Sequence, residues 1–271
     1  MARLFTFGCS LTNYVWPTWS NVLATHPHFD NFENWAISGV GNFAIFERLV
    51  ECITTRNLQP DDVVIVQWSG IARHDTLLTS KGWVPQGGLV HSKVFNTEWY
   101  NNFFDPTAYS FHTLNYITAA QTLLNNANCI WKMTSMHNLC LDEPDSEHPA
   151  LPKCDQKWIA YDNIIDRQHW IKSIGFNTED SKDLHEWYDA EKDSAPWKDW
   201  HRTPAQSWMW ATTHLLPSLG LKETQEQQKL ILEVDTFTRN LKKLNQAYLE
   251  NTQQFEWFAK QQSNIGYPYS T

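Results

Sequence analysis

Three short segments carry side chains that could do chemistry together. Leu4-Phe5-Thr6-Phe7-Gly8-Cys9-Ser10 is an apolar run that ends in glycine and delivers a serine two residues later. A strand ending this way can hold Ser10 at the carboxyl edge of a sheet, where ligands bind in open α/β folds. A nucleophilic serine needs a base within hydrogen-bond reach and donors for the oxyanion. Asp199-Trp200-His201 offers that base, with His201 taking the proton and Asp199 orienting its ring. Trp200, between them, belongs near the mouth of such a site and is a candidate substrate contact. Ser38-Gly39-Val40-Gly41-Asn42 is the third segment, and the Gly39 N–H could donate to an oxyanion. Each segment also has a plainer reading. Ser10 could sit in a βα turn, Thr203-Pro204 could simply start a helix, and Asn42 could be an N-cap after a glycine turn.

The elements that must position these residues alternate. Residues 2–7 read as a buried strand, and a helix is expected near 16–25 with Pro17 in its first turn. Asn34-Trp35-Ala36-Ile37 is strand-like, and Asn42 is expected to cap a helix over 43–55. Val63-Val64-Ile65-Val66 is β-branched without alternation, the pattern of a strand covered on both faces. Residues 82–88 read as loop or hairpin, 107–126 as helix and 130–133 as strand. This order predicts an α/β protein with a mainly parallel sheet wrapped by helices. Residues 136–198 are irregular, apart from an expected helix near 159–173, and read as an insertion or lid. A helix over 204–216, ending at Gly220, restores the order.

The three chemical segments together resemble the SGNH (GDSL) hydrolase family. FTFGCSLT resembles its first block, AISGVGN its second, and DWHRTP before a helix its last. The resemblance spans about residues 1–220 and implies a flavodoxin-like three-layer α/β/α fold that hydrolyses esters through an acyl-enzyme. It implies Ser10 as nucleophile, His201 as base, Asp199 as orienter, and Gly39 with the Ser10 N–H as oxyanion donors. Cys9 stands where the family has a non-triad Asp. Asp199 lies two residues before His201 rather than three, and Arg202 replaces a proline. The family's third block should follow the strand at 63–68 with an Asn that donates to the oxyanion. Here QWSGIARHD has no Asn, which leaves Ser69 as substitute donor and Arg73 as second donor or substrate contact.

Bulk composition narrows the rest. The 271 residues are 42% hydrophobic and 19% charged, a globular balance, with net charge -9. That charge and the lack of a basic stripe argue against nucleic-acid partners, and no apolar run reaches membrane-spanning length. Five irregularly spaced cysteines and an N-terminus that enters a strand directly imply a reduced protein made in the cytoplasm without a signal peptide. His137, Cys140, His148 and Cys154 fit no standard zinc spacing, so neither metal nor organic cofactor is expected. Cys9 reads as core packing rather than nucleophile.

Fifteen tryptophans suit sugar stacking as well as a core, and Trp158, Trp170, Trp187 and Trp197 fall in the insertion. The expected substrate is an acyl ester, with O-acetylated polysaccharide as one option. An inactive carbohydrate-binding or assembly protein on the same fold, or an O-acyltransferase, are the alternatives. Beyond the 1–220 unit, residues 221–271 form a helical extension. Leu230, Val234, Phe237, Leu241, Leu244, Tyr248, Asn251 and Phe255 make a heptad seam within 223–260 that predicts a homo-oligomeric coiled coil, or a helix packed on its own domain.

Overall fold

The structure is a computed structural model that describes residues 2–89, 95, 97–136, 139, 160–161, 163–174 and 201–248. Its frame is a parallel sheet built from β1 (Ala2–Phe7), β2 (Phe29–Asn34), β3 (Val63–Trp68) and, after a β4 (Thr76–Leu78)/β5 (Gly82–Val84) hairpin, β6 (Ile130–Ser135). The order is β2-β1-β3-β6, with Leu4 paired to Val63 and Val63 to Ile130. Every residue of β3 is buried, as its unbroken β-branched run requires.

Alternation along the strands sends side chains to two cores. Phe5, Phe7, Val64, Val66, Trp131 and Met133 pack under α2 (Asn42–Arg56) and, beyond the short α3 (Thr97–Phe103), α4 (Pro106–Asn126). Leu4, Val63 and Ile65 face the other way, against α1 (Trp19–Leu23), α5 (Pro204–Trp210) and α6 (Gln225–Tyr248). The protein is therefore a three-layer α/β/α fold. Because β1 has β2 on one side and β3 on the other, the carboxyl ends of β1 and β3 form the topological switch point. None of the described helices is long and apolar enough to cross a membrane.

Several local expectations are corrected. The second strand is Phe29–Asn34, earlier than the apolar stretch from Asn34. It is an edge strand paired on one side, so exposed Asp30 and Asn31 are tolerated. Trp35 N–H still donates to Thr6 O (2.8 Å) and Ile37 N–H to Gly8 O (3.2 Å), so the ladder runs beyond the strand proper. Helix α1 is capped at Thr18, whose N–H donates to Asn21 Oδ1 (2.9 Å), and Pro17 precedes the cap instead of entering the first turn.

The helix expected near 159–173 does not form across the described part. Only residues 160–161 are helical there, Asp166 starts one 3-10 turn at Arg167–His169, and 170–174 is extended. Edge carbonyls of β6 hold that extended run: Ile171 N–H donates to Met133 O (2.7 Å) and Ile174 N–H to Ser135 O (2.9 Å). Both isoleucines then bury in the second core.

Helix α5 begins with Pro204 inside a Thr203/Gln206 capping box and continues through a π turn at Ala211–Leu215. That turn lies just before Pro217, whose ring would clash with an α-helical carbonyl four residues back. The helix ends at Gly220, which takes φ +68°. In α6 the buried stripe is Gln227, Ile231, Asp235 and Thr238. The expected seam lies beside it: Leu230 and Val234 are half-buried and Phe237 is exposed. Residues 249–260 of the seam region lie outside the described residues.

Candidate active site

Ser10 sits in a turn forced by the end of β1. A Cβ on Gly8 would collide with the Thr12 side chain and press on Gln67, so only glycine fits this close approach. Thr12 N–H and Asn13 N–H both donate to Cys9 O at 3.0 Å, which closes the turn. Cys9 is fully buried with its Sγ 3.7 Å from Met136 Sδ. Ser10, its neighbour, lines a notch with room for about one water molecule.

The same notch is lined by His201, Arg202, Tyr14, Trp16 and Ser207. Tyr14 and His201 stack face to face, with ring centroids 3.7 Å apart and planes 17° apart. Trp16 is buried, meets Tyr14 edge-on at 4.6 Å, and donates from Nε1 to Arg202 O (2.8 Å). The loop after β1 is thus fastened to the segment before α5.

Just after His201 in the chain, the start of α5 is held from another helix. Ala205 N–H donates to Asp235 Oδ1 (3.1 Å), and Arg239 Nε donates to Asp235 Oδ2 (2.5 Å). Burial pushes the Asp235 carboxyl up, but hydrogen bonds from Arg239, Thr203 and Ala205 outweigh it, and it lies below the usual carboxylate value. Asp199 and Trp200 lie outside the described residues.

On the other side of the switch point, Gly39 takes φ +84° and its carbonyl accepts from Gly87 N–H (2.9 Å). Asn42 is not the helix cap expected of it. Gly41 holds the cap position and Asn42 is the first helical residue, buried. Its amide donates to Ser69 O (3.1 Å) and Thr113 Oγ1 (3.0 Å), while Oδ1 accepts from Ser69 N–H (2.7 Å). Capping falls instead to Asp75, which accepts from Gly41 N–H (2.6 Å) and Ala44 N–H (3.0 Å). Burial raises the Asp75 carboxyl above its usual value, against the pull of those bonds and of Arg73.

Since Asn42 takes the Ser69 N–H, the hydroxyl is the donor Ser69 keeps. It is buried, with no hydrogen-bond partner among the described residues. Arg73 Nη1 donates to Val40 O (2.7 Å) and Nη2 reaches Met136 Sδ (3.7 Å), so Arg73 straps the Gly39 loop to the end of β6. Gly39, Ser69 and Arg73 are not among the residues lining the Ser10 notch.

Two other thiols among the described residues offer no competing nucleophile. Burial pushes Cys52 up to about 12 and Cys129 up to about 11, so both stay protonated near neutrality. Among the described residues no three His, Cys, Asp or Glu side chains gather as metal ligands. His137, Cys140, His148 and Cys154 lie outside them.

Neither a protein-family model nor a curated protein matches this chain. The residues and their geometry carry the functional reading. Sequence reasoning missed Tyr14, Trp16, Asp75 and Asp235 as parts of this region. Tyr14 and Trp16 follow Ser10 closely and are visible as aromatics, but nothing in the string ties them to residue 201. The roles of Asp75 and Asp235 exist only through tertiary contacts.

Proposed function

We propose that this protein is a serine ester hydrolase of the SGNH type. One observation carries the reading: Ser10 and His201, far apart in the chain, line one notch beside the carboxyl edge of a parallel sheet. Ser10 Oγ attacks the ester carbonyl carbon as His201 takes its proton. The tetrahedral oxyanion is assigned the Ser10 N–H and, by the family resemblance, the Gly39 N–H and Ser69 hydroxyl, which lie outside the notch lining. The C–O bond to the alcohol then breaks, and His201 returns the proton to the departing oxygen. Water, activated by the same imidazole, releases the acid from the acyl-enzyme. Asp199 orients His201, and Arg73 and Trp200 contact substrate. O-acetyl groups on a carbohydrate are the substrate class that the family resemblance and the tryptophan content favour, and a sugar hydroxyl in place of water would make the same site an O-acyltransferase.

The test is p-nitrophenyl acetate turnover with Ser10→Ala. The expected loss is on the order of a thousandfold or more, together with loss of fluorophosphonate labelling. Equal turnover by wild type and variant would sink the hydrolase reading.

A non-catalytic, carbohydrate-binding or assembly role is the second reading. It is favoured by the one-water notch and by the Ser69 N–H being committed to Asn42. On α6, exposed Phe237 and Leu232 support self-association. Sedimentation of the full chain and of a Leu232→Glu/Phe237→Glu variant tests the self-association, and a monomeric full chain would remove it.

A further inference from the structure

We propose that Tyr14 is a positioning residue for His201, setting the imidazole plane against Ser10 by ring stacking. The inference rests on the hydrolase reading of the same notch. A general base must hold one ring orientation, a task usually given to a carboxylate hydrogen-bonded to the far ring nitrogen. Here the Tyr14 ring lies 3.7 Å from the His201 ring and within 17° of parallel, so rotation of the imidazole about its Cβ–Cγ bond would drive it into the phenol.

Tyr14 is itself braced. Trp16 is 7% exposed, packs its ring edge-on against Tyr14 at 4.6 Å and 79°, and is fixed by its Nε1–H···O bond to Arg202. Trp16, Tyr14 and His201 form one aromatic column, anchored at the residue next to the base. The phenol face also attracts the positive charge that the imidazole acquires when it takes the Ser10 proton, and that attraction grows as the charge develops. A contact of this kind acts on the rate of the chemical step more than on substrate binding.

Two variants separate the ring from its hydroxyl. Tyr14→Phe keeps the stack and Tyr14→Leu removes it. With p-nitrophenyl acetate, Tyr14→Leu should lower kcat about tenfold or more with KM little changed, and Tyr14→Phe should stay within about twofold of wild type. Independently of turnover, the His201 ring protons lie over an aromatic face. Their NMR signals, assigned with His201→Gln, should be shifted upfield in wild type and Tyr14→Phe and move downfield in Tyr14→Leu.

Wild-type kcat in Tyr14→Leu, or unmoved His201 signals in that variant, overturns the proposal. So does a Tyr14→Phe loss of about tenfold or more in kcat, an outcome that does not depend on the leucine variant folding. If Ser10→Ala retains full turnover, the hydrolase reading falls and Tyr14 loses its catalytic purpose. The NMR shift then still reports whether the column exists.

Discussion

Two helices begin at the candidate site, and each has first-turn backbone N–H groups held by an aspartate distant in the chain, α5 in addition to its own Thr203 capping box. Asp75 closes the start of α2 beside the Gly39 loop, and Asp235 holds the start of α5 just after His201. The chemistry is the same: a carboxylate accepting from orphan backbone N–H groups at the positive end of a helix. Their surroundings differ. Asp235 has a guanidinium bonded to it at 2.5 Å, and its carboxyl is held below the usual value despite burial. Asp75 has only backbone donors bonded to it among the described residues, with Arg73 acting through space, so burial wins and its carboxyl rises. The α2 start also has a second anchor in Asn42, whose amide grips Ser69 and Thr113. The difference teaches that a cap is stabilised by what else the acid touches as much as by the helix it closes.

Breaking the caps should therefore give unequal losses. Asp235→Ala removes a charge-assisted pair and the acceptor of the Ala205 N–H, while the Thr203 capping box stays, and is expected to cost about 2 kcal/mol of stability in urea denaturation. It should also slow p-nitrophenyl acetate turnover, because the His201 segment loses its footing. Asp75→Ala leaves Asn42 in place and should cost less, about 1 kcal/mol. Equal losses would mean that the Arg239 pair contributes nothing beyond the cap.

The sharpest comparison is the sign of the pH dependence, although its size is the smallest. The ordinary Asp value is 3.8 for both groups. Asp235, depressed in the folded state, contributes stability that is present above 3.8 and lost as pH falls through its lower folded value. Asp75, raised in the folded state, contributes stability that is present below 3.8 and lost as pH rises through its higher folded value. The penalty of Asp235→Asn should thus grow between acid and neutral pH while that of Asp75→Asn shrinks. Thermal melts of both variants against wild type from about pH 3 to pH 7 read the two slopes. Parallel slopes would contradict the assignment.

How much of this was legible in the sequence follows from how local each signal is. The Val63–Val66 run, the Gly8 turn before Ser10 and the Thr203-Pro204 helix start are written in adjacent residues, and the structure keeps all three. The edge strand was misplaced because Phe29–Asn34 needs only one partner and so carries little apolar pattern. Asn42 was misread for the opposite reason. Its type and place fit a cap, but buried backbone at Ser69 offered it three hydrogen-bonding opportunities with Thr113, and Asp75 was free to take the cap. The nucleophile and base candidates were visible as motifs. The groups that hold them, Tyr14, Trp16 and Asp235, act across contacts that no local window contains.

One contact bears on how the protein is made. Gln227, fully buried on α6, donates its side-chain amide to Val22 O at the end of α1. With the Trp16–Arg202 bond, it ties the serine loop and α1 to the segment before α5 and to α6. Contacts of such sequence separation form late, because the intervening chain must be ordered first. On the ribosome, the serine turn emerges long before the histidine segment and the helix that clamps it. On the hydrolase reading proposed above, the nascent chain would carry Ser10 without its base until the C-terminal layer docks onto the finished sheet.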